Sequence, residues 1–273
     1  MSLKTLANKV KKEQKEMDKP FAEKFTAAID NFLVNPPGEG RPNRLAFRPS
    51  SYYKCVRQTY YFLKGVTSKN KRFPRSQRIL AVGTALHEWV QTEVLMKMAE
   101  MPDSPIKLVP KEELPSFGKG GIEFIAEHQA PPMEVKFLDT RFTKKFPISA
   151  MVDGSLTMMN KDFLFEFKTI NPTDFEMLIE PLTDHIKQGA IYALSTGVRS
   201  VMFLYLCKGT QEWKPYLITY TDEQLDWVVT RIQTTEQFVL EDILPPKEIS
   251  NQCKWCGYKN ICDKELKEPE KNS

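Results

Sequence analysis

The octapeptide FLFEFKTI, Phe163–Ile170, decides how the rest of the chain is read. Side chains on a strand alternate faces, so Phe163, Phe165 and Phe167 share one face while Leu164, Glu166 and Lys168 share the other. The first face reads as core. The second carries a glutamate and a lysine side by side in an otherwise apolar strand, which is either an ion pair on a solvated sheet face or a chemical site.

Neighbouring sequence extends the strand into a hairpin. ISAMVDGSLTM (148–158) repeats the strand pattern, and MNKD (159–162) reads as the turn. A turn on Asn160 and Lys161 sets Asp153 opposite Lys168 and Ser155 opposite Glu166, which leaves Asp153 and Glu166 as diagonal neighbours roughly 7–8 Å apart on one face. Two carboxylates at that span repel each other, and Mg²⁺ or Mn²⁺ offsets the repulsion with oxygen ligands. The plainer reading of Asp153 is an Asp-Gly turn.

The 273 residues suffice for one sizeable core with an appended subdomain. A net charge of +4, from 39 basic and 35 acidic residues, is too mild to identify a nucleic-acid partner by bulk charge. No run of eighteen apolar residues occurs, and MSLKTLANKVKKEQKEMDK lacks the apolar centre of a secretion signal, so a cytoplasmic protein with no membrane association is expected. In a reducing compartment the five cysteines favour metal ligation over disulfides.

Residues 1–47 read as a charged helical arm and linker, with a helix over 1–34 and the loop NPPGEGRPN after it. A helix over 48–65 is expected to be capped by Ser50 or Ser51. A second, over 76–99, contains GTALHEWVQ, with Leu80, Trp89 and Val90 supplying its packing around His87. Residues 101–147 form a Pro- and Gly-punctuated insert in which GKGG is a turn. Beyond the hairpin come a helix over 174–196 stopped by Gly197, the strands VMFLYLCKG and KPYLITYT, and a helix begun by a capping box of Thr221 and Gln224. Residues 264–273 read as a disordered tail. The order of elements gives an α/β core with a mixed sheet. Of the three histidines, His87 and His128 stand apart, while His185 shares a helix face with Gln188 and Tyr192.

GTALHEWVQ, MVDGSL, FEFKTI and QGAIY, in that order, resemble the PD-(D/E)xK nucleases of the RecB-like exonuclease branch. KCVRQTYY before them and Cys253, Cys256 and Cys262 in C-x₂-C-x₅-C spacing after them are similar to the iron–sulfur members of that branch, which include CRISPR-associated, AddB-type and phage enzymes. The resemblance covers about residues 48–263 and implies a restriction-endonuclease-like core, a central mixed β-sheet flanked by helices. It also implies that His87, Asp153, Glu166 and the Phe167 carbonyl hold the divalent metal, that Lys168 positions or activates the attacking water, and that Gln188 and Tyr192 orient the strand. Cys55, Cys253, Cys256 and Cys262 would carry a [4Fe–4S] cluster that joins the amino- and carboxy-terminal parts; four thiolates also satisfy zinc. Cys207 is left as a core thiol.

The implied activity is metal-dependent hydrolysis of DNA, from single strands or ends, in recombination, repair or CRISPR adaptation, with partner proteins or self-assembly open. A catalytically silent, cluster-bearing DNA scaffold and a zinc-stapled protein-interaction domain are the alternatives. A DNA entry path is expected along Tyr52, Tyr53, Lys54, Arg57, Tyr60 and Tyr61 and along Lys71, Arg72 and Arg75 in SKNKRFPRSQR, where aromatic rings can stack on bases and cations track phosphates. An ordinary solvated surface is the other reading of that path.

Overall fold

The computed structural model describes residues 3–37, 44–68, 72–125 and 133–264. It divides into two compact units, Met1–Pro42 with Lys71–Thr84, and Asn43–Asn70 with Ala85–Ser273. The smaller unit contains the long helix α1 (Leu3–Val34), as expected, and the first part of α3 (Pro74–Glu88). Phe21, Phe25 and Phe32 on α1 and Leu80 on α3 are exposed, so Leu80 does not supply the core packing expected of it.

The larger unit holds a five-stranded mixed sheet in the order β1 (Ile106–Leu108), β5 (Gly154–Met158), β6 (Lys161–Ile170), β7 (Ser200–Cys207) and β8 (Trp213–Thr219). Only β6 and β7 run parallel. FLFEFKTI is therefore a central strand, and both of its faces are covered, as befits a parallel pairing. Phe163, Phe165 and Phe167 pack with Val90, Leu95 and Leu206 in one core cluster. Leu164 packs on the other side with Ile191, Phe203 and Tyr205.

A second, antiparallel sheet, β2 (Ile122–Ile125), β3 (Val135–Asp139) and β4 (Ile148–Val152), comes partly from the insert at 101–147. The expected continuous strand over 148–158 breaks at Asp153, so that β4 joins one sheet and β5 the other. The hairpin pairing also differs. Its turn residues are Met159 and Asn160, at φ 52° and 60°, and Ser155 faces Leu164 rather than Glu166. Positive φ at two successive turn residues matches the twist of the flanking strands, which suits a two-residue turn at this position. Because the shift is two residues, the side chains of β5 and β6 keep their expected faces.

The helices show three further differences. Residues 49–54 form turns, and α2 (Val56–Leu63) starts from Cys55, so neither Ser50 nor Ser51 is its cap. The helix containing GTALHEWVQ changes pitch: α3 passes into a π-helical segment, Trp89–Met96, before α4 (Lys97–Ala99). The expected helix over 174–196 is two, α5 (Pro172–Met177) and α6 (Thr183–Thr196). Pro181 lies between them, where its ring bars the preceding residue from helical backbone.

Gly197 ends α6 at φ 83°, and α7 (Asp222–Leu240) carries the expected capping box. A Cβ on Gly189 would lie 2.4 Å from the Tyr220 hydroxyl and 2.7 Å from the Phe203 ring, so only glycine lets α6 sit this close to the sheet. A 3₁₀ turn (Asn251–Trp255) and α8 (Lys259–Lys264) follow. The tail at 265–273 lies outside the described residues, and among those described no helix is long and apolar enough to cross a membrane.

Candidate active site

The kink at Asp153 turns its carboxylate toward β6, where Oδ2 accepts the Phe167 backbone N–H at 2.7 Å. The same oxygen lies 3.3 Å from His87 Nδ1 at the end of α3. The His87 ring meets the Phe167 ring edge-on, with centroids 4.8 Å apart. On the neighbouring face of β6, Glu166 Oε1 accepts from Lys168 Nζ at 2.6 Å and from Gln188 Nε2 at 2.9 Å. Lys168 Nζ also donates to Gln188 Oε1 at 3.2 Å, and Gln188 Nε2 donates to the Tyr192 hydroxyl at 2.7 Å. His87, Asp153, Glu166, Phe167, Lys168, Gln188 and Tyr192, from a helix end, a strand break, a strand and α6, thus meet in one place.

Burial sets the electrostatics. Glu166 is 2% exposed, and burial pushes its carboxyl up to about 7; Lys168 pulls it down and Asp153 pushes it up again. Burial likewise holds the Tyr192 phenol well above its ordinary value, with Glu166 adding to the shift. Both groups stay uncharged more readily than in water.

Among the described residues no group of three or more His, Cys, Asp or Glu side chains is arranged to hold a metal ion. The carboxylates face protein donors instead. Glu166 Oε2 is the exception: it is buried and has no hydrogen-bond partner among the described residues. A buried acceptor left unpaired costs about 1–3 kcal/mol. An orphan oxygen on a carboxyl within electrostatic reach of Asp153 and His87 suits a hard divalent cation in donor chemistry.

Gln91 was not among the expected site residues. It lies in the π-helical segment, is 1% exposed, and donates from Nε2 to the Asp153 backbone carbonyl at 2.8 Å. Its only trace in the sequence is a lone amide in the apolar run WVQTEVLM. His185 stands outside the cluster. Its Nδ1 lies 2.7 Å from the Tyr205 hydroxyl, and burial, then Lys168, lowers its pKa to about 3. His128 lies outside the described residues.

Cys55, Cys253, Cys256 and Cys262 line a single small cavity with Arg57, Lys247 and Tyr258. Burial raises the Cys256 thiol, and the other three thiols raise it further. Cys207 is fully buried in β7, as expected.

The expected DNA path fares differently. Arg57 donates from Nε to the Pro245 carbonyl at 2.6 Å and from Nη1 to Cys262 Sγ at 3.5 Å, and the buried Tyr60 donates to Asp242 at 3.1 Å, so both have structural uses. Tyr52 and Tyr61 are buried, while Tyr53 remains half-buried. Arg72 and Arg75 are exposed in the smaller unit, and Lys71 lies outside the described residues.

No family model matches the chain, and no curated protein matches it. Among solved structures it is similar to SSO0001, with 13% identity over 87% of this chain and 96% of that one, at a TM-score of 0.48. It is also similar to the alkaline exonuclease LHK-Exo from Laribacter hongkongensis, with 12% identity over 81% and 95% and a TM-score of 0.42. LHK-Exo in complex with dAMP gives 13% identity over 73% and 90%, at 0.40. What the site can do follows from its own side chains.

Proposed function

We propose that the chain is a divalent-metal-dependent deoxyribonuclease, an exonuclease acting on single strands or DNA ends. The observation that supports this most is the meeting of His87, Asp153, Glu166 and Lys168, with Glu166 Oε2 buried and unpartnered among the described residues. His87, Asp153, Glu166 and the Phe167 carbonyl would hold Mg²⁺ or Mn²⁺. When bound, the ion polarises phosphate oxygens and makes water acidic enough to attack phosphorus near neutral pH.

The chain's own groups do the positioning. Lys168 has three N–H protons; bonds to Glu166 and Gln188 engage two, and the third is available to a water or a phosphate oxygen. Its positive charge stabilises the negative charge that gathers on phosphate during attack. Gln188 holds Lys168, Glu166 and Tyr192 in one array, and Gln91 fixes the backbone that carries Asp153. These supports limit the motion of the reacting groups.

The four cysteines that line one cavity suit a [4Fe–4S] cluster, and zinc equally by donor type. A brown preparation with acid-labile sulfide supports the cluster; a colourless one with stoichiometric zinc contradicts it.

End-labelled single-stranded DNA incubated with Mn²⁺, with Mg²⁺ and with EDTA tests the enzymatic reading. Cleavage that requires a metal supports it. Binding without cleavage by the fully metallated protein would leave the DNA-binding scaffold.

A further inference from the structure

Two tryptophans remote in sequence meet at the surface of the larger unit. Trp89 opens the π-helical segment two residues after His87, and Trp213 begins β8. Their rings are stacked, with planes 17° apart and centroids separated by 6.3 Å, yet each residue remains 43% exposed. Large apolar side chains left in water are ordinarily scattered singly; paired and stacked indoles with open faces present a flat aromatic surface.

A chain of ring contacts links the pair to the His87 end of the candidate site. The Trp213 ring lies 6.0 Å from the buried Phe167 ring, which lies 4.8 Å from the His87 imidazole. The backbone shape around Trp89 is unusual as well. π-helical turns are rare and concentrate at functional sites. Here Val90 and Gln91 are turned into the core at 1% exposure each, while Trp89, immediately before them, is left facing solvent.

We propose that Trp89 and Trp213 form a stacking platform for an unpaired nucleobase of the strand whose phosphate lies at Glu166 and Lys168; this rests on the nuclease reading above. Every base has a π face, so such a platform binds single strands with little regard to sequence. Bases inside a duplex are already stacked and offer it only a terminal face. The platform thereby selects single strands and frayed ends.

Binding of an eight-thymidine oligonucleotide and of the same backbone with abasic sites, measured in EDTA by fluorescence anisotropy and tryptophan quenching, tests the proposal. Wild type should bind the thymidine strand about tenfold more tightly, with quenching. Trp89→Ala should remove most of that ratio and Trp89→Phe should restore part of it. Equal affinity of wild type for both strands overturns the platform, as does a full ratio in Trp89→Ala. Cleavage is not needed for this readout. A base preference without metal-dependent cleavage contradicts the nuclease and supports the platform, whereas cleavage with equal affinities does the reverse.

Discussion

Glu166 is a carboxylate whose Oε1 receives two donors and whose Oε2, though buried, receives none among the described residues. Gln188 keeps that asymmetry by bonding Glu166, Lys168 and Tyr192 together. Gln188→Ala should leave the buried Tyr192 hydroxyl without this donor and lower stability by about 1–3 kcal/mol in urea unfolding, with nuclease activity reduced as well. His185 gives a pH test. Its pKa is lowered to about 3, so below its ordinary value of 6.5 the unfolded chain takes up a proton that the folded chain refuses. Stability is therefore complete above about pH 6.5 and falls by up to about 1.4 kcal/mol per pH unit as acid is added. Unfolding of His185→Gln should show a shallower decline between pH 6.5 and 4.5 than wild type. Alternation in FLFEFKTI made Glu166 and Lys168 legible, because a strand's period fixes faces without any tertiary knowledge. Gln91 was not legible. Its partner is a backbone carbonyl far along the chain, and a lone helical glutamine carries no mark of that.

The hairpin between β5 and β6 sets the pocket at the level of elements. Met159 adopts a left-handed backbone that costs an ordinary residue about 1 kcal/mol, and its side chain is 88% exposed. Met159→Gly should raise stability by about 0.5–1 kcal/mol, while Asn160→Val, a branched residue at φ 60°, should lower it by more. A Met159→Gly variant that melted below wild type would place the turn instead on Asn160 and Lys161. MNKD allows either centre, and its sequence favours Asn160 at either turn position, so the register was open by two residues. The even shift kept Glu166 and Lys168 on their expected face, while Asp153 reaches the Phe167 N–H from the break between β4 and β5. Pro181 marks the break between α5 and α6, which the apolar pattern across 174–196 masks in the sequence. The strands of the insert are three to five residues long, too short to show a period.

At the scale of the whole molecule, Cys55 meets Cys253, Cys256 and Cys262 in one cavity although 198 positions separate Cys55 from Cys253. A shared centre at that point would stabilise the fold chiefly by restricting the unfolded chain, at a few kcal/mol for so long a loop. Cys256→Ser should lose bound metal and melt several degrees lower, whereas Cys207→Ala should keep its metal. Equal metal content in both variants would contradict the staple. The spacing of the last three cysteines was legible by itself; their juncture with Cys55 was legible only through the family resemblance, because no local pattern marks a contact so remote in sequence. The central claim is that the pocket around Glu166 and Lys168 hydrolyses phosphodiester bonds. Its most direct test is the rate of nucleotide release from end-labelled single-stranded DNA in Mn²⁺ by wild type, Glu166→Ala and Lys168→Ala, each with a melting curve to certify folding. Wild type should release nucleotides and each folded variant should lose at least about a hundredfold in rate; variants that cleave as fast as wild type would contradict the account.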